Sequence, residues 1–383
     1  MKISLNNRER LANEIVNGAV IIHGNNSVYR NNDVGYPFRQ DSNFHYLTEW
    51  PEPDAHAVIV VKDSKPDLYM FVQDRNLEME TWDGKRIGQE GAVEIYNAKA
   101  AFSNTEYLKN LSKLLEGVEN IYCDYSNTKF QEYDQKALSF AVPYDQRGLE
   151  FSKATLHALS PILSELRLIK DKEELNLLSK ACDITVEGHI VAMKIAKAGM
   201  YEYQVAAEME KTFFDLGAER LGYPSIVASG DNACILHYST NREIIPENSL
   251  LLIDAAGEYG MYSSDVTRTF PVNGKFSDEQ LKIYEIVLNA MNAAIESVKK
   301  GNSIMEPQEV SEKVITEGLV KIGLLKGDPE ELHKSGAYKD FYMHKIGHWL
   351  GLDVHDAGDY MDGDEFMKFT PGMITTIEPG IYI

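Results

Sequence analysis

The sequence predicts a mixed α/β protein of two domains, and three observations carry that expectation. The chain has 383 residues, against roughly 100–200 residues for an ordinary domain. Hydrophobic residues make up 44% and charged residues 25%, proportions that permit a buried core and exclude wholesale disorder. Short Val/Ile-rich runs of strand length alternate with stretches of helical periodicity.

Taken in order, Ala19–Ile22, Ala57–Val61 and Asp67–Val72 read as strands from their β-branched content, and Ser103–Leu115 reads as a helix. This alternation makes a complete small α/β domain over residues 1–160, with the boundary within Ser152–Pro161. The second domain, 161–383, opens with Ser164-Glu165-Leu166-Arg167-Leu168-Ile169-Lys170 and a long amphipathic helix at about Asp171–Lys197. Its apolar positions Leu175, Leu178, Cys182, Val186, Ile190 and Met193 recur at helical spacing. Lys197–Gly217 resembles Lys299–Gly323 in order and spacing, each following a long helix, the second at about Ser277–Lys300. If this is a duplication, two similar halves face each other with a site between them.

The balance of 38 Lys+Arg against 59 Asp+Glu leaves a net charge of −21, which argues against nucleic-acid binding, since that needs a basic face. The three cysteines, Cys123, Cys182 and Cys234, are far apart and odd in number, as expected of free thiols in a reducing compartment. The N-terminus lacks an apolar core of signal-peptide length, and no stretch approaches the ~18 apolar residues of a membrane helix. The expectation is a cytoplasmic protein without a membrane partner.

The strongest local signal runs from Leu250 to Phe270. Two strand-like runs flank a glycine-containing turn, and a two-residue loop at Tyr259-Gly260 would set Asp254 directly opposite Asp265. Facing like charges repel, and an unpaired carboxylate in an apolar strand is costly. Either a cation lies between the two, or one aspartate is protonated or turned to solvent. Further on, His344, His348 and His355 cluster beside glycines and apolar residues, and one helical turn would put His344 and His348 on one face. Glu378 ends an apolar, strand-like run before Pro379-Gly380, as a turn residue or a ligand. Two aspartates, a histidine and a glutamate form an oxygen-rich set that suits Mn²⁺, Co²⁺, Fe²⁺ or Zn²⁺. Carboxylates bridging two ions fit two-metal hydrolysis, in which water is activated and a carbonyl polarised.

The order Asp254, Asp265, His348, Glu378 resembles the pita-bread metallopeptidases, and most closely the aminopeptidase P (Xaa-Pro aminopeptidase) family. In the second domain the resemblance rests on Asn232–Tyr238, on the aspartate hairpin ending Thr267-Arg268-Thr269-Phe270-Pro271-Val272, on His344–Asp356 and on Glu378-Pro379-Gly380. In the first it rests on Tyr36–Phe44, on Glu52-Pro53-Asp54-Ala55 and on Trp82. Methionine aminopeptidases share the metal pattern but not this first domain.

The resemblance implies a pseudo-twofold catalytic domain holding two divalent ions, Mn²⁺ foremost. Asp254 would bind one metal, His348 the other, and Asp265 and Glu378 both. His237, His344 and His355 would act around the scissile carbonyl and proline, with Glu378 also moving a proton and Tyr223 lining the pocket. Asp33, Trp82 and Arg147 match positions through which a neighbouring subunit closes the site, so a homo-dimer or homo-tetramer is expected. The family carries a second bridging glutamate about 20 residues past Glu-Pro-Gly. The sequence stops at Ile383, so it reads as C-terminally incomplete, with a weakly held second metal and an exposed sheet edge.

No His-Glu-x-x-His, Walker-type or Gly-x-Ser-x-Gly motif occurs. Cys234 beside His237 reads as a small core residue, and Asp359–Glu365 as a solvated acidic turn rather than a calcium loop. The expected activity is removal of an N-terminal residue ahead of proline. The competing readings are a prolidase restricted to Xaa-Pro dipeptides and an inert homologue that only binds peptides or partners.

Overall fold

The computed structural model describes residues 2–15, 17–124 and 154–383. They form two compact units, Met1–Leu166 and Arg167–Ile383.

In the first unit, helix Lys2–Glu14 precedes β1 (Gly18–His23), a ribbon of β2 (Tyr29–Asn31) and β3 (Val34–Gly35), then β4 (His56–Lys62) and β5 (Lys65–Val72). With β6 (Ala100–Ser103), β7 (Asn120–Cys123) and β8 (Thr155–Ala158) these make a six-stranded sheet ordered β6-β5-β4-β1-β7-β8. The β1–β4 and β4–β5 pairs are antiparallel, and the outer pairs are parallel. β1 is buried along its whole length and β4 along all but its last residue. Strands covered on both faces carry continuous apolar runs rather than alternation, which is why Ala19–Ile22 and Ala57–Val61 were legible as strands. The expected helix at Ser103–Leu115 is helix Tyr107–Leu114 preceded by one 3-10 turn.

The second unit is built twice over. Helix Lys172–Ile195 starts at a capping box of Asp171 and Glu174, and helix Asp278–Ser297 at one of Ser277 and Gln280; each box satisfies two N-terminal backbone donors. Each helix is followed by a glycine with positive φ, Gly199 at 85° and Gly301 at 89°. A second helix then follows, Glu202–Asp215 in one half and Glu306–Lys321 in the other. Each second helix ends at another such glycine, Gly217 or Gly323. The segment entering each second helix forms a matching antiparallel bridge, Tyr201 with Ile244 and Ser303 with Lys368. The suspected duplication is therefore a repeat of backbone geometry.

After β9 (Arg220–Leu221), the first half continues with β10 (Ile226–Ser229) and β11 (Leu250–Asp254), which pair antiparallel with Ile226 opposite Asp254. In the second half the corresponding segments run extended side by side. The Leu350, His348 and Ile346 positions engage Ile374, Thr376 and Glu378 through bonds of 3.1, 3.0 and 2.8 Å. Asp254 and Glu378 thus hold matching places, each opposite an isoleucine at the end of its half's inner strand. β12 (Gly257–Tyr259), β13 (Tyr262–Ser263) and β14 (Thr267–Pro271) complete the first half.

Helix Lys172–Ile195 does not bury the face its apolar residues suggest. Leu178 is buried, but Leu175, Val186 and Met193 are exposed; the inward stripe is Glu174, Leu178, Ala181, Ile184, Thr185, Gly188, His189 and Ala192. The cause is close packing. A Cβ on Gly188 would lie 2.2 Å from the Phe213 ring. Polar members find partners inside: Thr185 Oγ1 accepts from the Gly257 N–H at 2.9 Å, His189 meets the Ala255 carbonyl through Nε2 at 3.1 Å, and Tyr262 donates to Glu174 at 2.8 Å. Small and hydrogen-bonded residues can fill an interface that hydropathy periodicity assigns to Leu, Val and Met. Among the described residues no helix is long and apolar enough to cross a membrane.

Candidate metal centre

The hairpin that carries the aspartates closes one residue later than expected. Tyr259 pairs with Tyr262, so the loop is Gly260-Met261, both at positive φ (57° and 70°), as two-residue loops that match strand twist require. Consequently Asp254 faces Thr267 rather than Asp265. The shift is two residues, so Asp265 becomes a diagonal neighbour on the same face and stays within side-chain reach. The ladder is interrupted between Ser263 and Thr267, which leaves Asp265 outside any strand.

Tyr223 ties the two carboxylates together. Its hydroxyl contacts Asp254 Oδ1 closely and Asp265 Oδ1 at 2.9 Å. One hydroxyl has one proton to donate, so one of these oxygen pairs needs a further proton or a cation. Asp265, His348 and Glu378 each present a ligand atom within 4.8 Å of the others. His348 Nε2 lies 3.3 Å from Asp265 Oδ2 and 3.4 Å from Glu378 Oε1.

The tautomer of His348 makes this a cation site. Its Nδ1 sits 2.9 Å from the Trp349 carbonyl, which can only accept, so Nδ1 carries the hydrogen. The neutral ring then aims the Nε2 lone pair at two carboxylates, an arrangement that only a proton or a metal ion between them stabilises. Thr376 orients both partners: its hydroxyl accepts from the His348 N–H at 2.9 Å and donates to Glu378 Oε1 at 2.8 Å.

Electrostatics agree. Burial, helped by the Asp265 charge, pushes Asp254 up to about 6 and Glu378 up to about 7. Burial works most strongly on His348 and against its charge, but its bonds to Asp265 and the Trp349 carbonyl and the charges of Glu378 and Asp265 together raise its pKa. Tyr223 is held well above its ordinary value by burial and by both aspartates. Protons held this way are what a divalent ion displaces on binding. Three carboxylates and one imidazole whose Nε2 faces two of them therefore fit a hard or borderline divalent cation.

The histidines do not form a helical turn. Residues 343–349 run without helix, because Gly347 packs against the backbone of Thr376. A Cβ there would lie 2.1 Å from the Thr376 carbonyl oxygen. His344 donates from Nδ1 to the Lys345 carbonyl at 2.8 Å, leaving Nε2 to accept from the Tyr382 hydroxyl at 2.9 Å. Burial and the charges of Glu378 and Asp254 push Tyr382 up to about 12, which keeps it a donor. The His355 ring stands edge-on to His348 at 4.2 Å. His237, exposed on the loop after the 3-10 turn Gly230–Cys234, is near enough to bias the titration of Asp254 and His355.

Asp33 and Trp82 belong to the first unit. Asp33 is exposed between β2 and β3, and Trp82, 82% exposed, lies on a helix, Leu77–Asp83, that buries none of its residues. Arg147 lies outside the described residues. Sequence reasoning passed over Tyr382, Thr376 and a set of buried ions, Arg167, Lys170 and Asp356. The one available signal for the last was two cations inside the apolar run Leu166–Lys170.

Asp265, His348 and Glu378, with Asp254 joined to them through Tyr223, make a cluster suited to a divalent cation. Metallopeptidase family M24 matches residues 176–383, and the family described as aminopeptidase P, N-terminal domain, matches residues 5–122. An Xaa-Pro aminopeptidase of Haemophilus influenzae is 41% identical over 96% of this chain and 83% of its own length. The solved Pseudomonas aeruginosa aminopeptidase PepP superposes with a TM-score of 0.95 at 40% identity, covering 99% of this chain and 86% of that one. Aminopeptidase P from E. coli with the inhibitor Pro-Leu gives 0.95 at 37%, covering 100% and 87%. The chain belongs to metallopeptidase family M24, in its aminopeptidase P branch. It has the pita-bread fold, and it is a hydrolase.

Proposed function

We propose that the protein removes the N-terminal residue of peptides whose second residue is proline, with two divalent ions held by Asp254, Asp265, His348 and Glu378. The observation that carries this reading is the lone pair of His348 Nε2 directed at Asp265 and Glu378, in a chain whose relatives are named Xaa-Pro aminopeptidases. Bound ions, Mn²⁺ foremost, would supply Lewis-acid polarisation of the scissile carbonyl and lower the pKa of water.

The protein's own groups then have separable tasks. Glu378, oriented by the Thr376 hydroxyl, would also take and return the proton of the attacking water. Tyr223 fixes the relative position of the two aspartates. His237 and His355, both exposed, contact the carbonyl and the proline, and His344 lines the pocket with its orientation set by Tyr382. A dedicated site is needed because proline fixes φ and offers no N–H, which defeats peptidases that read that hydrogen.

The working organisation is a 1–160 N-terminal domain and a 161–383 catalytic domain in a cytoplasmic homo-dimer or homo-tetramer. Asp33, Trp82 and Arg147 would help close a neighbouring subunit's site. The test is Asp265→Ala, assayed on an Xaa-Pro-Yaa tripeptide and by bound-metal analysis. Loss of both hydrolysis and stoichiometric metal is expected, and retained turnover would refute the ligand assignment. Turnover of Xaa-Pro dipeptides alone would make the protein a prolidase.

A further inference from the structure

We infer that Arg167 and Lys170, acting through Asp356, are positioning residues that hold His355 beside His348. The His355 ring is exposed; among the described residues it makes no hydrogen bond, and its one ring contact is the edge-on one with His348 at 4.2 Å. Its place is therefore set by the backbone that carries it, Gly351–Asp356.

That backbone is wound around a buried carboxylate. Asp356 Oδ1 receives Arg167 Nη2 at 2.5 Å and Oδ2 receives Lys170 Nζ at 2.8 Å, while Arg167 also reaches Asp353 at 2.7 Å. The Asp356 and Lys170 side chains are each 1% exposed and that of Arg167 is 4%. Burial alone would weaken the Arg167 charge, but Asp356 and Asp353 more than reverse it and raise its pKa. The loop then folds back on this core. The Asp353 N–H donates to Asp356 Oδ1 at 3.3 Å, the Asp356 N–H to the Trp349 carbonyl at 3.0 Å, and the Gly351 N–H to the Asp353 carbonyl at 3.1 Å. No side chain fits at position 351, where a Cβ would lie 2.2 Å from Asp356 Oδ2 and 2.9 Å from Lys170 Cε. The Lys170 N–H binds the Gly372 carbonyl at 2.9 Å, so the clamp is itself fixed to the segment leading to Glu378.

Buried ions are poor sources of net stability, because apolar residues of the same shape fold as well or better. What they supply here is a single geometry: both carboxylate oxygens are occupied from fixed directions, and the residue immediately before Asp356 in the chain is His355. The inference rests on His355 working in the proposed hydrolysis, where a displacement of about 1 Å can cost on the order of 10²-fold in rate.

The experiment is a double-mutant cycle of Asp356→Asn and His355→Ala on the metal-loaded protein. It reads kcat and KM with an Xaa-Pro-Yaa peptide, together with a crystal structure of Asp356→Asn. Expected are a fall in kcat on the order of 10- to 100-fold with metal content unchanged, no additional fall when His355 is already alanine, and a His355 ring displaced from His348. Additive effects, unchanged kcat, or a His355 ring still in place would overturn the inference. Should Asp356→Asn not fold, Lys170→Met, which leaves the Arg167 pair intact, is expected to show a smaller loss with the same non-additivity; failure of both to fold would mark the cluster as structural and also overturn it. A wild type without turnover, or an ineffective His355→Ala, would count against the proposed reaction instead, and the crystallographic position of His355 would still decide the inference.

Discussion

Two loops of the catalytic unit carry an exposed histidine, and each is tied down by a buried carboxylate, but by opposite means. The loop bearing His237 is organised by Glu202, which is completely buried and takes only uncharged donors. These are the Ser229 N–H at 2.9 Å and hydroxyl at 2.8 Å, Asn232 at 3.3 Å, Tyr238 at 2.7 Å and the Glu243 N–H at 3.2 Å. The loop bearing His355 is organised by Asp356, which is met by two cations. A carboxylate can thus be kept ionised in a protein interior by many oriented dipoles or by a few counter-charges. Burial pushes Glu202 up, yet its donors prevail and hold it below the usual carboxylate range. The dipole solution is spread over five bonds and degrades gradually. The counter-charge solution is concentrated, and removing its centre strands Lys170 and leaves Arg167 to its pair with Asp353.

That contrast sets the expected order of effects. Asp356→Ala leaves Arg167 and Lys170 without their shared partner and should cost about 3–5 kcal/mol in urea-unfolding measurements. Glu202→Gln retains the shape and one acceptor while turning a donor toward donors, so the expected cost is smaller, about 1–3 kcal/mol. A larger loss at 202 than at 356 would reverse the reading of which loop depends on charge.

The smallest effect is one of pH on the metal-free protein. Asp254 and Glu378 are raised in the folded state, to about 6 and about 7, against about 3.9 and 4.3 in an unfolded chain. Their contribution to stability is complete below the unfolded values and is lost as pH rises through 6 to 7. Glu202, held low, acts with the opposite sign: its contribution is present above its unfolded value and is lost as pH falls through its folded one. The thermal midpoint of metal-free protein should therefore decline from pH 5 to 7.5, and saturating Mn²⁺ should remove the decline by holding both carboxylates ionised. A midpoint independent of metal over that range would argue against Asp254 and Glu378 as ligands.

Much of the molecule was legible before its structure. β1, β4 and β5 announce themselves as apolar runs. Asp254, Asp265, His348 and Glu378 stand out because carboxylates beside apolar strands are costly and ask for a partner. The hairpin register was misread by two residues, because the apolar pattern does not distinguish a loop at 259–260 from one at 260–261. The error was harmless because a two-residue slip preserves the face.

What the amino-acid order determined by itself was therefore local or chemical: strand content, helix starts at Asp171 and Ser277, and the candidate donors of a divalent centre. What only the tertiary structure decided depends on partners distant in the chain. The inward stripe of helix Lys172–Ile195 was chosen by how closely Phe213 can approach Gly188. The extended course of residues 343–349 was set by Thr376, and the linkage of Arg167 to Asp356 joins positions 189 residues apart. Hydropathy and spacing report on neighbours a few residues away, whereas close packing and buried charge are settled between segments that meet only when the chain has folded.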